Sequence, residues 1–403
     1  MLQISSGEYR KDGSTYKEEQ TIICFSHLRW DFVYQRPQHL LSRASLGRRI
    51  YYIEEPIYED GAAGRLELRH QPNGIIIAVP VLPIGIGEKE AIEEQRRFLD
   101  CLVSNRQNGF LIFWYYTPMA LRFSAHVTPD LYVYDCMDEL SAFRGAPKIM
   151  RDLESALLSL AHVVFTGGHS LYEAKKKSHH NIHAFPSSID KEHFSKARSG
   201  TLPDPEDQRA LPRPRIGFFG VIDERMDVDL VSAVADARPD WQIVMIGPVV
   251  KIDPALLPRR ENLHWLGGKS YAELPAYISG WNAGFMPFAR NEATRFISPT
   301  KTPEFLSAGL PLVSTAIADV VEPYGTSGLV EIAEDAAAMV TKVEMVMQRP
   351  MKPWLDRVDR RLKSMSWDGT WASMESLLKR ALCRTDPHTT QKVRQVEGEQ
   401  AHV

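Results

Sequence analysis

The segment Asn291-Glu-Ala-Thr-Arg-Phe-Ile-Ser-Pro-Thr-Lys-Thr-Pro-Glu-Phe-Leu-Ser-Ala-Gly-Leu-Pro-Leu-Val-Ser-Thr315 holds the residues best suited to chemistry. Thr302 is spaced to cap a helix, Pro303 suits a first helical position, and Gly309 suits a stop before a strand at Pro311–Thr315. Such a helix opens directly behind Ser298, Pro299, Thr300 and Lys301. Unpaired N–H groups, the positive end of the helix dipole and an ammonium then converge, which is what a diphosphate requires. Glu304, one turn in, would repel phosphates unless it reaches past them. A ribose or sugar hydroxyl pair is the natural partner of that carboxylate. The spacing predicts a nucleotide-sugar site.

Other candidates lie where strand-like runs end. Gly220 is followed by Val221-Ile-Asp-Glu-Arg-Met-Asp227, where a glycine admits a phosphate and Arg225 either clamps it or is a solvated helix-start residue. This loop contains no GxGxxG and no GxxxxGK[ST], so the dinucleotide fingerprint and the P-loop are both missing. Two cations, Lys301 and Arg225, can replace a metal in stabilising a leaving diphosphate. The loop His27–His39 crowds Arg29, Trp30, Asp31 and Arg36 into one turn, as if to stack on and hydrogen-bond a sugar. The competing reading is a structural turn locked by Pro37. Trp114 closes an apolar run and joins this acceptor-side set, and Asp138 follows the next run as a hydrogen-bonding or charge-stabilising group. Asp138 could equally cap the next segment. Asp135 and Asp138 have no histidine or third carboxylate at a matching interval, so no metal site is expected. Gly267 and Gly268 end a later run where backbone groups could read a base edge. The basic run Lys175–His183 reads as a solvated helix end, with contact at an anionic lipid surface as the alternative.

The elements that must position these residues alternate as short apolar strands and helices, twice over. The first half offers strands at Thr21–Ser26, Arg49–Glu54, Gly74–Val81, Phe110–Tyr116, Leu131–Met137, His162–Gly167 and Ile182–Pro186, with helices between many of them. Near-continuous apolar strands suit a parallel sheet covered on both faces. Residues 199–214, rich in proline and charge, predict an interdomain linker. The pattern restarts at Arg215–Gly220 and continues to a helix at Glu334–Gln348, and a last helix runs from Trp367 to about Leu382. The predicted class is therefore α/β, with two doubly wound Rossmann-like domains facing each other across a cleft. These are an N-terminal acceptor-side domain at 20–198 and a C-terminal nucleotide-sugar-binding domain at 215–366. A helix at 367–383 crosses back to the first, and disordered tails are expected at 1–19 and 384–403.

Bulk composition limits the function classes. A length of 403 residues exceeds one ordinary core, and 44% hydrophobic with 25% charged residues is globular composition. Lys+Arg 48 against Asp+Glu 51 gives a net charge of -3 and no push toward nucleic acid. Cys24, Cys101, Cys136 and Cys383 form no CxxC or Cys/His cluster, which suits a reduced cytoplasmic setting. No apolar run reaches the roughly 18 residues of a membrane span, and Met1–Gln20 lacks the apolar middle of a secretion signal. A cytoplasmic protein is expected, with membrane contact confined to its surface.

Taken together, Arg29-Trp-Asp31, Gln35-Arg-Pro-Gln-His39, Asp135-Cys-Met-Asp138, Asn262-Leu-His-Trp-Leu-Gly267, and Ser298-Pro-Thr-Lys301 through Gly309-Leu-Pro311 resemble the GT-B nucleotide-sugar glycosyltransferases, specifically the retaining family 4 group and its teichuronic-acid-type bacterial members. The resemblance covers roughly residues 20 to 382. It implies transfer of a hexose from a nucleotide-sugar, UDP-linked, to a glycan or lipid-linked acceptor in cell-surface polysaccharide synthesis, with retention and without a metal or other cofactor. Glu304 matches the second of the family's two glutamates, whereas Phe296 stands at the first. Val221 and Asp227 occupy the family's arginine–lysine positions, and Met137 occupies that of its first-domain histidine. A GT-B epimerase of UDP-sugars, or a degenerate transferase serving as a binding partner, are the rival readings.

Overall fold

The computed structural model describes residues 20–61, 63–106 and 109–385. The expected tails lie outside these residues, except that Arg384 and Thr385 continue the last helix. The first sheet comprises β1 (Gln20–Phe25), β2 (Arg48–Ile53), β3 (Ile57–Glu59), β4 (Arg65–His70), β5 (Ile75–Pro83), β6 (Leu111–Tyr115), β7 (Leu131–Cys136), β8 (Val163–Thr166) and β9 (Ile182–Ala184). Its spatial order is β3-β5-β2-β1-β6-β7-β8-β9, parallel except for β4, which lies antiparallel on β5. The second sheet holds β10 (Arg215–Phe219), β11 (Gln242–Ile246), β12 (Leu263–Trp265), β13 (Ala283–Met286), β14 (Leu312–Ser314) and β15 (Val330–Ile332), in the order β12-β11-β10-β13-β14-β15, all parallel. Strand order reverses between β1 and β6 in one sheet and between β10 and β13 in the other. Ligands of doubly wound sheets sit at the carboxyl ends of strands at such points.

Several expectations change. β3 and β4 were not anticipated, because Arg65-Leu-Glu-Leu-Arg-His70 alternates charge with leucine and lies largely exposed on the sheet. The helix Met351–Leu362 also escapes notice beside Pro350 and Pro353, although Trp354, Val358 and Leu362 at fourfold spacing are all buried. Residues 199–214 are not a free tether. They carry a helical turn at Glu206–Arg209, and buried Gln208 accepts from Trp281 Nε1 at 2.7 Å and donates to Tyr277 O at 3.1 Å. The basic run 175–183 is not one solvated face, since buried Lys175 pairs with Glu139 at 2.7 Å and Glu154 at 2.8 Å.

The last helix, Trp367–Thr385, packs on the first sheet. Trp367, Trp371, Met374 and Leu378 recur at helical spacing and share a core with Leu40, Leu41, Trp114 and Phe165. Arg48 pairs with Glu375 at 2.6 Å and lies over the Trp371 ring. The chain thus threads both sheets and returns. No helix among the described residues is long and apolar enough to cross a membrane.

Candidate functional site

A cavity of about 820 Å³ opens between the carboxyl ends of the two sheets. Its second-sheet wall is Phe218, Gly220, Val221 and Arg225 from β10 and its loop, with Phe288 and Ile297 through Lys301 following β13. Its first-sheet wall is Val33, Gln35 and Arg36 after β1, Met137 and Asp138 after β7, Gly167 after β8, and Ser187 after β9. The second wall comes from β10 and β13, which flank its order reversal, and the first from β1, beside its reversal, with β7, β8 and β9 further along the sheet. Gly247 backs the cavity-lining Gly220, and a Cβ on Gly247 (φ 151°) would stand 1.7 Å from the Gly220 carbonyl oxygen. Only glycine fits there.

The helix behind Ser298–Thr300 begins at Lys301, two residues earlier than the spacing predicts. Thr300 stands at the cap position without a side-chain bond, while Thr302 is buried and directs its hydroxyl to Met286 Sδ at 3.9 Å. Pro299 and Pro303 have no N–H, and Thr302 N–H donates to Pro299 O at 3.2 Å. Thr300 and Lys301 therefore supply the N–H groups without an acceptor among the described residues. These are fewer free N–H groups than the spacing predicts, and the side-chain cation beside them is Lys301. Lys301 Nζ donates to Glu304 Oε2 at 2.7 Å and lies over the Phe219 ring. Glu304 is buried, and burial raises its carboxyl above the usual range against the pull of Lys301.

Arg225 reaches the cavity with its guanidinium already anchored on one side. Nε donates to Asp223 Oδ1 at 3.0 Å and Nη2 to Oδ2 at 2.7 Å. Nη1 has no acceptor among the described residues and is the edge left for a ligand. Asp138 faces the same space. Burial raises its carboxyl, Arg225 opposes that rise, and neighbouring Asp223 reinforces it. His27, half-buried, has a buried Nδ1 without a partner, and desolvation followed by the charge of Lys251 lowers its ring to about 4.

The acceptor-side residues are placed quite differently from expectation. Trp114 is fully buried inside the first-domain core, one residue short of the end of β6, so its ring never reaches the cleft. Trp30 is buried edge-on to Tyr52, because its indole gains more from the core than from an open loop. Arg29 donates to Glu54 and to the carbonyls of Glu55 and Pro56, and Asp31 pairs with Arg69 at 2.7 Å. Neither lines the cavity. Arg36 does line it, but its guanidinium is held by Asp135, with Nη2 2.7 Å from Oδ1, and by the Phe185 carbonyl at 2.7 Å. It is a strut under the cavity, and Asp135 is thereby explained. Gly267 and Gly268 stand past β12, with Gly267 O accepting from Gly247 N–H at 2.9 Å, outside the lining. Among the described residues no group of three His, Cys, Asp or Glu is placed to hold a metal ion.

Contacts between the two sheets' loops were not legible beforehand. Asp319 accepts from the His169 N–H at 2.8 Å and the Ser170 N–H at 2.9 Å, capping a first-domain helix from the second domain. A Cβ on Gly168 would lie 2.3 Å from Asp319 Oδ2 and 2.8 Å from Ser298 Cβ. Phe296 packs against the first-domain core. Its ring serves the domain contact. The Gly167-Gly168 pair after β8 was the one available sequence signal of close approach there.

No family model matches the sequence. The chain is 27% identical over 236 residues, 54% of its length, to "Putative teichuronic acid biosynthesis glycosyltransferase TuaH" of Bacillus subtilis (strain 168). It spans 58% of the length of that curated relative. Among solved structures it is similar to a sucrose-phosphate synthase from Thermosynechococcus elongatus, with a TM-score of 0.66 and 14% identity over 90% of this chain and 98% of that one. It is also similar to an alpha,alpha-trehalose 6-phosphate synthase from Burkholderia multivorans, with a TM-score of 0.64 and 11% identity over 92% and 100% of the two chains. Anabaena Alr3699/HepE, solved with UDP and glucose, gives 0.58 and 11% over 89% and 99%. The architecture is the GT-B fold, two Rossmann-like domains with parallel sheets.

Proposed function

We propose that this protein is a retaining glycosyltransferase that moves a hexose from a UDP-sugar onto a glycan or lipid-linked acceptor, at the cytoplasmic face of the membrane, in cell-surface polysaccharide synthesis. The observation that carries the reading is the convergence of Lys301, the free Nη1 edge of Arg225 and the N–H groups of Thr300 and Lys301 on one cavity floor. Two fixed cations stabilise the charge that develops on a departing diphosphate without a metal. Glu304, beneath Lys301, is released to ribose hydroxyls when the lysine turns to phosphate. Asp138, on the opposite wall, lies beside the transferred sugar and orients it. The relative from Bacillus subtilis and the neighbour solved with UDP and glucose support the nucleotide and the class of reaction.

The test is a thermal-shift panel of UDP- and GDP-sugars on the purified protein, followed by assay of hydrolysis or transfer. A UDP-sugar that raises the melting temperature and is turned over supports the proposal; no binding and no turnover of any nucleotide-sugar defeats it. Phe296, in the place of a sugar-reading carboxylate and committed to the domain contact, favours one second reading. In it the protein binds nucleotide without turnover and serves as an assembly partner. Turnover abolished by Lys301→Ala would eliminate that reading.

A further inference from the structure

The first-domain loop 139–147, after β7, follows the cavity-lining Asp138 and docks on the second domain. Arg144 donates its main-chain N–H to Glu224 Oε1 at 3.0 Å, and its guanidinium lies 3.6 Å from Oε2. Beside it, the Phe143 ring meets two second-domain cations. Arg225 Cζ stands 5.5 Å and Lys251 Nζ 4.9 Å from the ring centroid. Lys251 follows β11 and is the one non-glycine residue with left-handed backbone (φ 61°) among those described. A lysine holds that conformation only when its surroundings favour it, and such positions gather at ligand sites. Among the described residues Lys251 has no ion-pair partner, although its charge bears on His27, Glu55 and Asp138 across the cleft. An exposed ammonium without a close ion pair among the described residues thus stands beside an arginine that also keeps one edge free.

The geometry points to Phe143 as a positioning residue that holds Arg225 and Lys251 together as one clamp for a nucleoside diphosphate. This rests on the nucleotide-sugar reading above. Asp223 fixes one edge of the Arg225 guanidinium and the Phe143 ring lies beside it, so Nη1 is presented with less freedom to lose on binding. The same ring gathers Lys251, which no strand-end rule would bring to a diphosphate. Attraction of a cation to an aromatic face depends on the ring's quadrupole, which leucine of similar bulk does not provide.

The experiment is calorimetric titration of the full chain with UDP, in wild type, Phe143→Leu, Phe143→Trp, Lys251→Ala and the Phe143→Leu/Lys251→Ala double variant. Melting temperatures provide a check on folding. Phe143→Leu is expected to weaken UDP binding roughly fivefold, Phe143→Trp to restore it, and Lys251→Ala to weaken it comparably. The double variant should lose less than the product of the single losses, because both act on one clamp. UDP binding unchanged in Phe143→Leu and in Lys251→Ala overturns the inference while leaving the proposed function intact. So does weakening in Phe143→Leu that tryptophan does not rescue, since that marks packing. Wild type that binds no UDP overturns the nucleotide reading itself. Lys251 lies on an exposed loop, so its variant reports even if the leucine variant folds poorly.

Discussion

Lys301 and Glu304 face each other one helical turn apart, with the ammonium 2.7 Å from a buried carboxylate at the cavity floor. The cation suited to a diphosphate and the acid suited to a ribose therefore neutralise one another. On the proposed function, a nucleotide separates them to opposite ends of one ligand. Donor binding thus exchanges an internal ion pair for two external contacts, and its net gain is smaller than either contact suggests.

Lys301→Met removes a charge-assisted phosphate contact worth about 1.5–3 kcal/mol. UDP affinity should fall about 10- to 100-fold by calorimetry. The variant also leaves Glu304 buried without its counter-ion, which lowers the melting temperature. Adding Glu304→Gln should restore stability and leave affinity low. Recovery of both together would mean that Lys301 serves packing alone.

Asp138 has its carboxyl raised by burial, so the folded protein holds that proton to higher pH than the unfolded chain does. Its stabilising contribution is complete below the ordinary carboxylate value and is lost as pH rises through the folded value. Asp138→Asn should therefore melt higher than wild type at pH 7, with the gap closing toward pH 4. On the proposed function, turnover should also fall roughly tenfold or more. An Asn variant of equal stability at pH 7 would remove the burial argument.

His39 is stacked on Trp367, and burial followed by the charges of Arg43, Lys301 and His193 lowers its ring to about 3. Below its ordinary value of 6.5 the unfolded chain takes up a proton that the folded chain refuses. Stability present above pH 6.5 is thus lost as pH falls toward 3. His39→Phe should flatten this acid loss in denaturant titrations, leaving the part due to His27. A variant that loses stability on acidification as steeply as wild type would show that His39 does not drive it.

Trp371 lies buried between the last helix and the first sheet, under Arg48. Trp371→Ala should cost about 3–5 kcal/mol in chemical denaturation, as large core truncations do. The loss should fall on the first domain, read from the packed neighbour Trp114 by fluorescence. A cost below about 1 kcal/mol would mean that the helix is weakly docked.

What was legible lay at strand ends. Gly220 comes one residue after β10 and Asp138 two after β7, and both line the cavity because doubly wound sheets place such residues at the cleft. Trp114 misled because its strand is apolar throughout, and period alone does not show which residue is last. Trp30 and Arg36 misled for another reason. Their types suit sugars, but an indole beside Tyr52 and a guanidinium beside Asp135 gain more from burial with those partners. The contacts of Asp319 with His169 and of Phe143 with Arg225 join residues far apart in the chain. Local spacing carries no trace of them. β4 went unseen because its charges read as a loop when its partner β5 is not yet in view.

The placement of the last helix sets an order of events during synthesis. Domains generally fold as units while the chain emerges, the N-terminal one first. Here the first sheet receives Trp367, Trp371, Met374 and Leu378 only after the whole second domain has been made. Until those residues leave the ribosome, the groove that Leu40, Leu41 and Trp114 will share with them stays uncovered. The second domain, whose core draws on nothing beyond Met365, has no such wait. The half of the molecule translated first is the half completed last, and a nascent chain stalled before Trp367 would present a sticky surface to chaperones.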